Sequence, residues 1–444
     1  MDGKEIVTFG VDDEGKPRSG PAPKEGDAGA KKQKFYDAME WNALTNLMIR
    51  AGLLVIDAGK LEVVSERAMA LLALTAFHDI MKNKLLLPIV QKEHAPFNGS
   101  QEGEEITDHD LALGYVLEHY PSLLPSFSLL TPAQRAPVLF TQAKMHFNNG
   151  WLVQAEAPPG VLFKSFRAAI QQGRASESDV SFYFVHWITD LAGAEPFGNR
   201  SWPGAEKFTL KLPAHVLRAF VDSFQFVERL ASASEVQVMD AYLRHRMDEL
   251  KIIIPKAIRA AHFQVAAMRL VLMAQGFEEQ ALFAMMSLLD EDLWVIGCEL
   301  ARTACKEQFI DAPEAVRHCP EGPALLVYYA PALIQKAGAA EARQGLIILS
   351  CVFRAARQMF PLSKHHCEES VTIRIDVLKS LKPSEIRQNI WFLKQTSGNS
   401  AEVVAGEALA GDSVADGSIG TAGPLPVIML EIPEDMSLGL VERV

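Results

Sequence analysis

Met69-Ala70-Leu71-Leu72-Ala73-Leu74-Thr75-Ala76-Phe77-His78-Asp79-Ile80-Met81-Lys82 is an apolar run of helix-forming residues that closes on a histidine, an aspartate and a lysine. Ala, Leu and Met favour helix, so the run predicts a buried helix, with Ser65 as its N-cap and Glu66 favourable in its first turn. Its end presents a nitrogen and an oxygen ligand side by side. Lys82, four residues beyond His78, falls on roughly the same face. Such a group can hold a divalent metal beside a phosphate.

Outward from this run the chain continues to read as helix. Upstream, Phe35, Met39, Leu44, Leu47, Met48 and Leu54 recur at helical spacing. Downstream, residues 93–105 carry Pro96, Asn98, Gly99 and Gly103 and predict a loop, and a helix follows from Asp108 to about His119, where Pro121 stops it. Asp179 to Asp190 is rich in aromatic and β-branched residues, which suits a strand, yet its length without alternation favours a buried helix. Long helical patterns then run from Pro213 to about Phe360, and one more is expected from Pro383 to Lys394. Strand signal is sparse, so the expected fold class is all-α. The expected divisions are a disordered tail over 1–33, a helical domain over 34–200, a second helical domain over 204–395 and a flexible low-complexity tail over 396–444.

The chain has 444 residues, 49% of them hydrophobic, enough for two or three domains with large cores. Its longest apolar stretches, such as Gly345 to Phe353, are far shorter than the roughly 20 residues of a membrane-spanning helix. The N-terminal residues lack the apolar core of a secretory signal, and a cytoplasmic location is expected. A net charge of −12 argues against sequence-independent binding to a nucleic-acid duplex, which needs a basic surface to displace counterions. The five cysteines, Cys298, Cys305, Cys319, Cys351 and Cys367, form no CxxC pair, which points to reduced structural thiols.

Buried His and Asp side chains together suit Zn, Mn, Fe or Mg, and an Asp can bridge two ions. Two such ions would lower the pKa of water and clamp the oxygens of a phosphoryl displacement, while a lysine neutralises a non-bridging oxygen. His78-Asp79 followed by Ile80 and Lys82 resembles the signature of the HD-domain metal-dependent phosphohydrolases. Asp108-His109-Asp110-Leu111-Ala112-Leu113-Gly114 is similar to the His-containing helix of the subgroup that cleaves cyclic dinucleotides, and Met145-His146-Phe147-Asn148-Asn149-Gly150 is a looser match to a later element of that subgroup. His186-Trp187-Ile188-Thr189-Asp190-Leu191 is similar to the His-x-x-Asp-Leu segment of cyclic nucleotide phosphodiesterases, with one extra residue.

The resemblance covers residues 35 to 200 and implies an HD-like helical bundle. By the same resemblance His78, Asp79, His109, His146 and Asp190 bind one or two divalent ions (Mn, Fe, Mg or Zn), Asp79 bridges them, and Lys82 holds the phosphate of a nucleotide or cyclic nucleotide ester that a metal-activated water attacks. Two departures stand out. No histidine precedes His78, so the family's upstream ligand is missing, with Asp37, Glu40 and Asn42 as substitutes, and Met81 replaces the usual Gly. Pro88 lies further from Lys82 than the subgroup's proline does. The competing reading is an inactive HD-like scaffold whose helical C-terminal half binds a protein partner or a second copy.

Other motifs carry less. His365 and His366 beside Cys367 follow Pro361 and read as a solvated loop. Pro320-Glu321-Gly322-Pro323-Ala324-Leu325-Leu326-Val327-Tyr328-Tyr329-Ala330-Pro331 is distinctive and suits a groove or a dimer surface, with no chemistry of its own.

Overall fold

The computed structural model describes residues 41–142, 147–193, 214–255, 261–309, 321–406 and 426–433. The chain divides into two compact units, one of residues 1–146 and 168–231 and the other of 147–167 and 232–444. Among the described residues, 147–167 group with the C-terminal unit and 214–231 with the N-terminal one, on the other side of the expected boundary near 200–204. No helix among the described residues is long and apolar enough to cross a membrane.

The first unit contains α1 (Trp41–Arg50), a hairpin of β1 (Leu54–Asp57) and β2 (Lys60–Val63), then α2 (Ser65–Phe77), α3 (His109–His119), α4 (Pro132–Thr141), α5 (Glu177–Gly193) and α6 (Ala214–Val227). Leu54, read above as the end of a helical stripe, begins a strand instead. Ala58 and Gly59 both adopt positive φ (45° and 78°), the two-residue turn whose twist matches paired strands. Helix α2 starts at Ser65 as expected, but the cap position is Val64 and no side chain caps it. Asp108 does cap α3, its carboxylate accepting from the backbone N–H of Asp110 and Leu111 at 3.1 Å each.

Arg67 sets the register between α2 and α5. Its guanidinium donates to Ala51 O (2.9 Å), Ser178 O (3.1 Å) and Asp179 Oδ1 (2.9 Å), and lies 4.7 Å from the centre of the Phe182 ring. Eleven residues separate Arg67 from His78, and eleven separate Asp179 from Asp190. At ~3.6 residues per turn that is about three turns on each helix. Two helices tied together at their N-terminal ends and running the same way must then meet again three turns later, which brings His78 to Asp190. Elsewhere Glu228, itself buried, accepts from Arg50 Nε (3.0 Å) and Ser181 Oγ (2.5 Å), joining α1 and α5 to the turn after α6. Phe184 stacks on Phe224 with ring centres 4.0 Å apart, and each is fully buried.

The second unit contains α7 (Glu235–Leu250), α8 (Ala261–Ala274), α9 (Asp290–Ala301), β3 (Ala324–Tyr328), α10 (Ala330–Met359), β4 (Ser370–Arg374), β5 (Trp391–Ser397), β6 (Ser400–Ala405) and β7 (Val427–Met429). The five strands form one sheet in the order β3-β4-β6-β5-β7. β3, β4 and β6 are parallel, and β5 pairs antiparallel with β6 and β7. The expected all-α fold is thus overturned: the protein mixes α-helices with a five-stranded sheet and a two-stranded hairpin. β3 reads as a continuous apolar run because a buried parallel strand is covered on both faces, and such a run cannot be told from helix by periodicity. α10 supplies the long crossover that a parallel β3–β4 pair requires. It is interrupted at Gly338, whose φ is 62°, and at Glu341. The helix expected to Lys394 stops at Ile386, and Trp391 begins β5. β6 and β7 lie within the stretch read as a low-complexity tail.

Arg269 on α8 is 1% exposed, yet no carboxylate among the described residues is bonded to it. Its guanidinium donates instead to three carbonyls, Ala155 O (2.8 Å), Leu300 O (2.7 Å) and Glu156 O (2.6 Å). Glu156 is 7% exposed, and one carboxylate oxygen accepts from Tyr329 N–H at 2.6 Å. Burial lifts its pKa to about 7, opposed by that hydrogen bond and by the nearby Arg269. Four cysteines, Cys298, Cys305, Cys351 and Cys367, are free thiols, and burial raises Cys298 to about 11 and Cys305 to about 12. Cys319 lies outside the described residues.

Two outcomes follow. Arg269→Leu leaves three buried carbonyls without their donor and is expected to destabilise the protein by at least about 3 kcal/mol, read from the denaturant midpoint. Glu156 has a folded pKa above its unfolded value, so its contribution to stability is full below about pH 4.5 and is lost as pH rises through about 7. Glu156→Gln is therefore expected to flatten the fall in melting temperature across that window, measured by thermal denaturation in a series of buffers.

Candidate metal centre

His78 stands at the C-terminal cap of α2, where its backbone N–H still donates to Leu74 O. Its Nδ1–H donates to Thr75 O at 3.0 Å, which fixes the ring and turns Nε2 toward Asp190 Oδ1 at 2.9 Å. That is the arrangement in which a histidine binds a cation, with one nitrogen held by a backbone carbonyl and the other free to coordinate. Without an ion, the carboxylate of Asp190 holds a proton on the ring, and the His78 pKa is raised chiefly by that hydrogen bond. The same bond holds the Asp190 carboxyl below its usual range.

Asp79 follows at the start of a short turn, Ile80–Lys82, on which the beginning of α3 packs. Asp79 Oδ1 lies 3.5 Å from His78 Nε2 and 4.0 Å from His109 Nε2, between the two rings. Its other oxygen accepts from Lys82 Nζ at 2.6 Å. One ligand atom each from His78, Asp79 and Asp190 falls within a sphere where all separations are under 4.8 Å. Ligands about 2.0–2.2 Å from a common ion sit roughly 3 Å apart, so the measured 2.9 and 3.5 Å fit a divalent cation with N and O ligands. Asp108, His109 and Asp110 form a second group of donors within the same limit. The site is open: the side chains of Asp79 and Asp190 are each 43% exposed and Lys82 is 55% exposed.

The sequence candidates thus divide. His78, Asp79, Lys82 and Asp190 come together, and His109 stands at the rim beside Asp79. His146 lies outside the described residues, as do Asp37 and Glu40. Asn42 is exposed on α1, and no hydrogen bond links it to the cluster. Two neighbours went unassigned in the sequence. His186, read as a core histidine, is buried one turn before Asp190, with its ring edge-on to His78 at 4.9 Å. Its Nδ1 has no hydrogen-bond partner among the described residues, and burial, followed by the charge of His78, lowers its pKa to about 4. Asp110 has a raised pKa, first from burial and then from the carboxylates of Asp108, Asp190 and Asp79. The i, i+4 spacing of His186 and Asp190 on one helix face could have flagged the first; Asp110 carries no such signal because its neighbours come from three elements.

Arg67 governs this centre from a distance. Lysine cannot reach three acceptors in a fixed fork, so Arg67→Lys is expected to loosen α5 against α2, lowering stability by about 2 kcal/mol, which the shift of the denaturation midpoint checks.

No curated protein and no solved structure matches the chain. A family of unknown function, DUF6829, matches residues 59–381, a span that takes in His78, Asp79, Lys82, His109 and Asp190 and most of the second unit. By that match, over well more than half of its length, the chain belongs to the DUF6829 family.

Proposed function

We propose that the first unit is a metal-dependent phosphohydrolase or phosphodiesterase acting on a nucleotide or cyclic nucleotide phosphoester. The observation that carries the proposal is the convergence of His78, Asp79 and Asp190 from two helices on one open point, with a lysine beside it. His78 Nε2, Asp190 Oδ1 and Asp79 Oδ1 would hold the ion, and His109 with Asp110 offers donors on the far side of Asp79. A divalent ion bound there polarises a phosphoryl oxygen and lowers the pKa of a water.

The protein's own residues complete the chemistry. Thr75 O holds the His78 ring, so that Nε2 faces the site without reorientation. Asp79 divides its two oxygens between the ion position and Lys82, which keeps the ammonium in place for a non-bridging phosphate oxygen. His186 is kept neutral by burial and walls one side of the site without adding positive charge.

The purified full-length protein is expected to carry about one or two divalent ions per chain by plasma mass spectrometry and, in added Mn, to hydrolyse a generic phosphodiester such as bis(4-nitrophenyl) phosphate. Lys82→Ala should keep the metal and lower kcat, whereas His78→Ala and Asp190→Ala should lose about 10–100-fold in metal affinity or more. A wild-type protein without stoichiometric metal, and with a metal content that His78→Ala does not change, would sink the enzyme reading in favour of an inactive scaffold.

A further inference from the structure

The distinctive stretch around Tyr328 and Tyr329 acquires a use in the second unit. β3 ends at Tyr328, and Tyr329 turns the chain left-handed (φ 76°, ψ 18°) into α10, a conformation rare for a bulky residue. The two tyrosines therefore stand at the C-terminal ends of the parallel strands β3 and β4, the edge at which sheets of this kind hold ligands. A pocket of ≈ 190 Å³ opens there, lined among others by Trp151, Gln154, Glu156, Tyr328, Tyr329 and Pro331.

Its polar groups are only half used. Glu156 is more than nine-tenths buried. Oε1 accepts from Tyr329 N–H, and Oε2 has no hydrogen-bond partner among the described residues. Gln154 Oε1 accepts from Gln335 Nε2 at 3.4 Å, and its own amide N–H₂ has no acceptor among the described residues. Trp151 and Tyr328 stand edge to face with ring centres 6.0 Å apart. A buried acceptor and a half-buried donor thus flank an aromatic wall.

Charge narrows the ligand. Arg374 lies 5.6 Å from the Tyr328 ring centre and Lys379 Nζ 3.7 Å from that of Tyr329, and Asp376 accepts from both at 2.9 and 3.2 Å. Both cations are thus paired outside the pocket lining, whose one charged group, Glu156, disfavours an anion and favours a ligand that offers N–H donors. The Trp151 and Tyr328 rings beside it suit a flat molecule. We infer that this pocket binds a planar nitrogen heterocycle with an N–H donor edge, such as a guanine-type base, its N–H groups donating to Glu156 Oε2, its carbonyl accepting from the Gln154 amide and its ring packing against Trp151 and Tyr328. The inference is independent of the metal centre, since all of these residues belong to the other unit.

The test is saturation-transfer NMR of the full-length protein in EDTA, with guanosine, adenosine and uridine as probes. Guanosine is expected to bind, and adenosine at least about tenfold more weakly, because its corresponding ring nitrogen accepts where that of guanosine donates. Glu156→Gln should weaken guanosine by about tenfold or more, and Tyr328→Ala should abolish binding. If Glu156→Gln fails to fold by circular dichroism, Trp151→Leu takes its place. Absence of guanosine binding at millimolar concentration, equal binding of adenosine, or unchanged affinity in the folded variants would overturn the inference.

Discussion

The bond between Arg67 and the start of α5 is the constraint on which the first unit depends. Packing of apolar faces brings two helices together but leaves their sliding position poorly defined, because one ridge of leucines resembles the next. A guanidinium that donates to Ala51 O, Ser178 O and Asp179 Oδ1, with Phe182 against its face, removes that freedom. With equal spacing on both helices, the position of His78 relative to Asp190 follows three turns away. The cluster is thus assembled by a feature that carries no ligand chemistry of its own.

The same economy governs the His78 ring. A histidine at the end of a helix has a free carbonyl one turn behind it, and Thr75 O takes the Nδ1 proton. The ring is then held from inside its own helix, and its second nitrogen is left for partners on other elements. The carboxylates of Asp79 and Asp190 approach it from two segments, and the negative charge gathered there is what a cation would relieve.

In the second unit, buried charge is handled by carbonyls rather than by ion pairing alone. Among the described residues Arg269 has no direct carboxylate partner and satisfies its donors on Ala155, Glu156 and Leu300, which fixes the backbone of the loop ahead of helix Pro159–Gly173. That fixed loop presents Glu156 to Tyr329 N–H at the β3–α10 junction. Sheet, loop and pocket are therefore one connected arrangement, in which the strained turn at Tyr329 is held from both sides.

The sequence by itself determined most of the helices and the chemistry at their ends. Helix formers and capping residues act over a few neighbours, so α2, α3, α5 and α7 were legible, and His78, Asp79, Lys82 and Asp190 could be named as candidates. The sheet was not: β3 is a short apolar stretch whose partner β4 lies beyond α10, and β6, although paired with the neighbouring β5, falls in a stretch whose small and polar residues read as a flexible tail. The gathering of the candidates was likewise undecided, since the sequence lists them without distances. Only the tertiary structure chose among them, bringing His186 and Asp110 in beside the expected pair and leaving Asn42 out. The physical reason is the same in both cases: local propensity fixes where a side chain stands on its own element, whereas long-range packing and register, here through Arg67 and Arg269, fix which side chains meet.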